Sequence, residues 1–327
     1  MAKHLDVLLL LALPASGKSE ARTYLATLDA QECEQHFGIG QTVQLDDFPY
    51  VHLMRRISDE MTARGHTGAY FRSAALPFRD PLDWGTLIEL LNEDYRDVLD
   101  RHQPEPASAA EWIFDRFDRA RGLVGAPLVF ADMDPALRSE LARALETECR
   151  DLLQKKNAEH PDTLEGKTIL FEFARGGADA SPMPLVEPYG YRYSLSRLAP
   201  EILEKAAILY IWVTPEDSRR KNEERTDPDD PGSILNHGVP KAVMYGDYGC
   251  DDMNWLLENS GREDTVRVER DGRSWHLPVG RFDNREDLTT FIRDDRSEWA
   301  PADIERLRAG MEEAFAHLHA ARAKLDR

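Results

Sequence analysis

Asp6-Val7-Leu8-Leu9-Leu10-Leu11-Ala12-Leu13-Pro14-Ala15-Ser16-Gly17-Lys18-Ser19 is the stretch on which the fold of this chain turns. The run Val7–Leu13 has no polar face. Such a run suits a parallel β-strand covered on both sides, where every side chain meets other apolar groups. A rival reading uses the same residues. Lys3 and His4, the apolar run, and the small residues Ala15 and Ser16 imitate a secretory signal. The run is only about the minimum length for a signal core, and cleavage would cut into Gly17-Lys18-Ser19. We therefore read a strand over 6–13, a turn over Pro14–Gly17, and a helix from near Lys18 to about Leu28.

The loop after this strand has chemistry of its own. Ala12–Ser19 matches the Walker A phosphate-loop pattern except at its first position, where Ala12 stands in place of glycine. A loop that enters a helix N-terminus aims backbone N–H groups at phosphate oxygens, and the helix dipole adds to the attraction. Gly17 permits close approach, Lys18 supplies positive charge to the terminal phosphates, and Ser19 offers a hydroxyl to magnesium. Pro14, Ala15, Ser16, Gly17, Lys18, Ser19 and Glu20 are the expected nucleotide-binding segment, for ATP with Mg2+. Ala15 must adopt a conformation that glycine takes more readily.

Outward from this loop the pattern alternates between strands and helices. A strand over 42–45 ends in Asp46-Asp47, and a helix is expected over 50–64. Between Gly65 and Pro161 apolar residues recur at three- and four-residue spacing over 84–98, 109–120 and 135–156, with Pro104 and Pro106 as a break. That stretch is too long for a βαβ crossover and reads as a helical insertion. Strands are expected over 168–173 and 207–213, with a helix over 196–205 between them. A polar helix over 215–225 then leads into the breaker-rich stretch 226–238. Asp271-Gly272 between short strand-like runs signals a hairpin, and 301–324 reads as an amphipathic helix. The expected divisions are a first core part (1–64), the insertion (65–160, acceptor or lid), a second core part (161–300, with a lid at about 215–238) and a C-terminal helix (301–327).

Acidic residues at strand ends are candidates for catalysis, because the carboxyl ends of strands line the ligand crevice of a doubly wound sheet. Asp46 or Asp47 could take or orient a hydroxyl proton during in-line transfer, the other capping the next helix. Glu172, at the end of an apolar run, suits magnesium or acceptor contact, and Arg175 could grip an anionic acceptor group. Arg219 and Arg225 are candidates to stabilise charge on the transferring phosphoryl group, whereas Arg220 and Lys221 read as solvated surface charge. His52, His66, His237 and His276 lack metal-binding spacing. The segment 245–252 lacks the spacing of a calcium loop.

Together, residues 13–19, Asp46-Asp47-Phe48, Ile169–Glu172 and Arg219–Arg225 resemble the P-loop kinases that include zeta-toxin-like kinases, chloramphenicol phosphotransferases and polynucleotide kinase domains. The resemblance implies an α/β P-loop NTPase (NMP-kinase-like) three-layer fold with a five-stranded parallel sheet, ATP with magnesium, and an aspartate after the second strand that activates the acceptor. By the same resemblance Asp283-Asn284 would lie beside the adenine. Polynucleotide kinases usually carry an arginine soon after the paired aspartates. Pro49 and Tyr50 stand there instead.

The expectation is a cytoplasmic kinase acting on a small-molecule acceptor, with an ATP-hydrolysing regulator and a polynucleotide 5′-hydroxyl kinase as alternatives. A net charge of −19 disfavours nucleic acid, since an acidic surface repels phosphate backbones. Three scattered cysteines form neither a metal set nor a disulfide framework. No segment has the ~20 apolar residues that span a membrane. The oligomeric state is left open.

Overall fold

The computed structural model describes residues 4–224 and 238–325, which form six strands and twelve helices. In chain order these begin with β1 (Val7–Leu11), α1 (Lys18–Ala26), α2 (Ala30–Glu32), β2 (Gln41–Asp46) and α3 (Phe48–Ala63). Next come α4 (Asp83–Asp100), α5 (Ala109–Val124), α6 (Pro135–Ala158), β3 (Lys167–Phe173), α7 (Gly190–Arg197) and α8 (Pro200–Leu203). Last are β4 (Ala206–Trp212), α9 (Pro215–Glu224), α10 (Lys241–Gly246), α11 (Met253–Glu258), β5 (Thr265–Arg270), β6 (Arg273–Asp283) and α12 (Pro301–Leu325). The chain divides into two compact units, Met1–Gln44 with Thr163–Arg327, and Leu45–Asp162.

The first unit is an α/β layer structure built on a mostly parallel sheet of order β2-β3-β1-β4-β6-β5. The apolar run expected to be a strand forms β1, buried at every position and paired in parallel with β3 on one side and β4 on the other. The five-stranded expectation falls one strand short. Beyond β6 lies β5, antiparallel, joined to it by a two-residue turn with Asp271 at φ 50° and Gly272 at φ 74°. Positive φ at both positions is what a hairpin turn of this length needs. β6 is long enough to serve twice: its first half pairs with β5 and its second half with β4.

The C-terminal helix is part of this unit rather than an appendage. α12 buries Leu307, Met311, Ala314, Phe315, Leu318 and Ala321, a helical stripe that packs on β6. At Gly280 the approach is so close that a Cβ would sit 2.2 Å from the Ala314 carbonyl oxygen. The helix expected over 196–205 is two helices. Pro200 disfavours helical backbone at the residue before it, and Ala199 is accordingly extended (φ −58°, ψ 144°).

The second unit consists mainly of α3, α4, α5 and α6, with α4 against α5, α5 against α6, and α3 against α6. The unit starts at Leu45, so α3, which the sequence reading assigns to the core, is grouped with the insertion. Its interior is partly ionic. Asp94, 1% exposed, accepts from Tyr50 Oη (2.8 Å), Arg116 Nη2 (2.8 Å) and Lys156 Nζ. Burial pushes the Asp94 carboxyl up, but Lys156 and Arg116 outweigh it and hold the group below its ordinary range. Among the described residues no helix is long and apolar enough to cross a membrane.

Candidate functional site

The site lies in the first unit, at the carboxyl end of β1. Strand order places β3 on one side of β1 and β4 on the other, so the connections leaving this edge diverge and open a crevice there. Residues 12–17 cross that point and enter α1. Ala15 takes the left-handed conformation (φ 55°), and Gly17 caps α1 at φ 93° with no side-chain cap hydrogen bond. The first-turn N–H groups of α1 therefore have no capping side chain, and an anion is their natural partner. A Cβ at Gly17 would lie 2.2 Å from Thr289 Oγ1 and 2.4 Å from Asn284 Nδ2, so the position requires glycine for space as well as conformation. The buried Ser16 hydroxyl finds no hydrogen-bond partner among the described residues.

α1 then presents two hydrogen-bond donors and a second cation to one carboxylate. Glu172 Oε1 accepts from Ser19 Oγ (2.8 Å) and from Lys18 Nζ, while Oε2 pairs with Arg22 Nε at 2.7 Å. Glu172 sits on β3 opposite Leu10 of β1 and is 1% exposed. Burial alone would raise its pKa. The Lys18 and Arg22 charges more than offset this and hold it at about 2. Lys18, Ser19 and Glu172 are thus brought together. Arg22 was not singled out, although its place one helical turn after Lys18 put it on the same face.

Other expected residues lie elsewhere or do other work. The Glu20 carboxylate is buried against Arg293 Nε at 2.7 Å, so its side chain is not on the open face of the loop. Asn284 is wholly buried and donates to the Ser16 carbonyl at 2.7 Å, which makes it a brace of the loop. Asp283 is exposed and paired with Arg285 at 2.7 Å. Arg175, 2% exposed, lies near the Phe173 ring and donates to the Ala174 carbonyl. Arg219 is drawn against Glu216 (3.2 Å), Asp179 (3.3 Å) and the Tyr245 ring (5.0 Å). Arg225 lies outside the described residues. Lys221 corrects the reading as surface charge: it is buried and donates to the Asn284 carbonyl at 2.9 Å.

Asp46 ends β2 and accepts the Phe48 N–H at 2.8 Å, opening α3. Asp47 is 7% exposed, at the N-cap position, and makes no side-chain cap bond. The capping role expected of one aspartate thus falls to Asp46. The segment 245–252, which the sequence left unassigned, is scaffold. Asp252 accepts the Tyr191 and Arg192 N–H groups at the start of α7, and Asp251 accepts from Tyr210 Oη at 2.8 Å. Burial pushes the Asp251 carboxyl up to about 6. Among the described residues no group of three or more His, Cys, Asp or Glu side chains is placed to hold a metal ion.

Comparison with protein-family models, curated proteins and solved structures finds no match.

Proposed function

We propose that this chain is a P-loop kinase that transfers the γ-phosphoryl group of ATP, with magnesium, to a hydroxyl of a small-molecule acceptor. The observation that carries the reading is the convergence of Lys18, Ser19 and Arg22 on the buried Glu172 carboxylate, beside an uncapped helix N-terminus. A phosphate oxygen offers Lys18 the same kind of anionic partner that Glu172 now provides. The loop N–H groups and the unpartnered Ser16 hydroxyl favour the same ligand. Its place where strand connections diverge supports a ligand crevice at that edge.

Ser19 and Glu172 are the residues suited to hold magnesium, Ser19 through its hydroxyl and Glu172 through the hydrogen bond that orients that hydroxyl. When bound, the ion supplies positive charge to the phosphate oxygens and lowers the cost of their negative charge. Lys18 adds a second positive charge, and Arg22 keeps Glu172 ionised once Lys18 turns to the phosphates.

The test has two arms. ATP with magnesium should raise the melting temperature of the parent and not that of Lys18→Ala, because a ligand that binds the native state stabilises it by mass action. Equal protection of both proteins would remove the loop from the reading. A screen of hydroxylated metabolites should then find ADP release that depends on one acceptor class. Release at the same rate without acceptor would make the protein a hydrolase instead.

A further inference from the structure

The phosphate loop lacks glycine at two positions where one would ease its path, Ala12 and Ala15, and yet Ala15 stands at φ 55°. An L-residue disfavours that conformation, because its Cβ crowds the following carbonyl. Something outside the loop must hold it. Three side chains from separate elements grip alternate carbonyls of the loop. Tyr191 Oη on α7 donates to the Ala12 carbonyl at 2.9 Å. Ser218 Oγ on α9 donates to the Pro14 carbonyl at 2.7 Å. Asn284 Nδ2, after β6, donates to the Ser16 carbonyl at 2.7 Å. All three donors are fully buried at 0% exposure.

Each donor is itself pinned. The α7 N-terminus that carries Tyr191 is held by the Asp252 carboxylate, at 2.6 Å to the Tyr191 N–H. Asn284 takes the Leu288 N–H on its Oδ1 at 2.7 Å, and its own N–H reaches the Trp212 carbonyl at 2.9 Å. The Ser218 N–H bonds to the Thr214 carbonyl at 2.9 Å.

The peptide plane turns this grip into a consequence for binding. In a trans peptide the carbonyl and the following N–H point in opposite directions. Fixing the carbonyls of residues 12, 14 and 16 therefore fixes the N–H groups of Leu13, Ala15 and Gly17, each directed away from the carbonyl gripped before it. Held N–H groups in a loop that leads into a helix N-terminus suit an anion.

We propose that Tyr191, Ser218 and Asn284 are positioning residues that hold the loop in its polyphosphate-binding shape, supplying from outside the rigidity that its two alanines do not provide by conformational preference. This rests on the reading of residues 12–19 as a phosphate site, and it extends that reading to residues distant in sequence.

Two conservative substitutions test it, Ser218→Ala and Tyr191→Phe, each made alone and together with Ala15→Gly. Amide hydrogen exchange of residues 12–20 is measured without nucleotide, and ATP–magnesium affinity by titration calorimetry. Either hydroxyl deletion should speed loop exchange and weaken ATP by about tenfold, the scale of one lost hydrogen bond. In the Ala15→Gly background the same deletions should change exchange and affinity by less than about threefold, because glycine accepts the left-handed conformation unaided. Unchanged loop exchange in both deletions would overturn the proposal. So would an effect of equal size in both backgrounds, since the hydroxyls would then serve general packing and not the loop's conformation. If exchange behaves as expected while ATP binds none of the proteins, the clamp stands and the kinase reading falls.

Discussion

Glu172 and Asp94 make a controlled pair. Each is a carboxylate 1% exposed, and each gathers one lysine, one arginine and one hydroxyl. The difference lies in where the donors come from. Lys18, Ser19 and Arg22 all belong to the first turns of α1, so they can change partner without any helix moving. Tyr50, Arg116 and Lys156 belong to α3, α5 and α6, so releasing Asp94 means separating three helices. The same charges can therefore change partner within one helix in one place and hold several helices together in the other. Solvent access separates the two arginines, 15% exposed at Arg22 and 2% at Arg116, but not the lysines, 13% at Lys18 and 21% at Lys156.

The largest expected effect is at Asp94. Asp94→Ala strands Arg116 and Lys156 beside each other without their shared carboxylate, and breaking a buried pair this way costs about 3–5 kcal/mol. Urea unfolding monitored by the helical signal should show that loss. A change under about 1 kcal/mol would mean that the cluster does not hold the helices together.

Glu172→Gln should cost less, about 1.5–3 kcal/mol, the range for hydrogen bonds to a charged group, because its cations can turn toward water. The pH dependence has a definite sign. With its folded pKa held at about 2, below the ordinary 4.5, Glu172 contributes stability that is complete above pH 4.5 and fades as pH falls toward 2. Stability curves of parent and variant should differ most at neutral pH and converge in acid. A gap that persists at pH 2 would show that lost shape, not lost charge, is responsible. Glu172→Gln should also weaken the magnesium-dependent part of ATP stabilisation, through Ser19, while Asp94→Ala should leave that part alone.

The smallest effect separates a capped helix from an uncapped one. Ser108 accepts the Glu111 N–H at 3.2 Å at the start of α5, and Ser108→Ala should cost about 1 kcal/mol in thermal unfolding. α1 has no such side-chain cap to lose. If Ser108→Ala proves neutral, the missing cap on α1 says little about an anion in its place.

The strand–turn–helix at residues 7–26 was legible because its signals are local: an unbroken apolar run, then a turn, then helix-compatible residues. The hairpin at Asp271-Gly272 was legible for the same reason, and so were the helices of the second unit from their apolar spacing. The bracing role of Asn284 was not legible because its partner, the Ser16 carbonyl, lies 268 residues away. Lys221 looked like surface charge because nothing near it in sequence shows that its helix face is covered. Tyr191 and Ser218 carry no motif at all.

By itself the sequence determined the α/β alternation, the buried first strand and a loop whose residue types suit a phosphate. These come from periodicity and from residues that act on their immediate neighbours. Only the tertiary structure decided that Glu172 gathers Lys18, Ser19 and Arg22, and that three distant side chains grip the loop's carbonyls. Hydrogen bonds between elements depend on where the packed core sets each backbone, and no short stretch of chain contains that information.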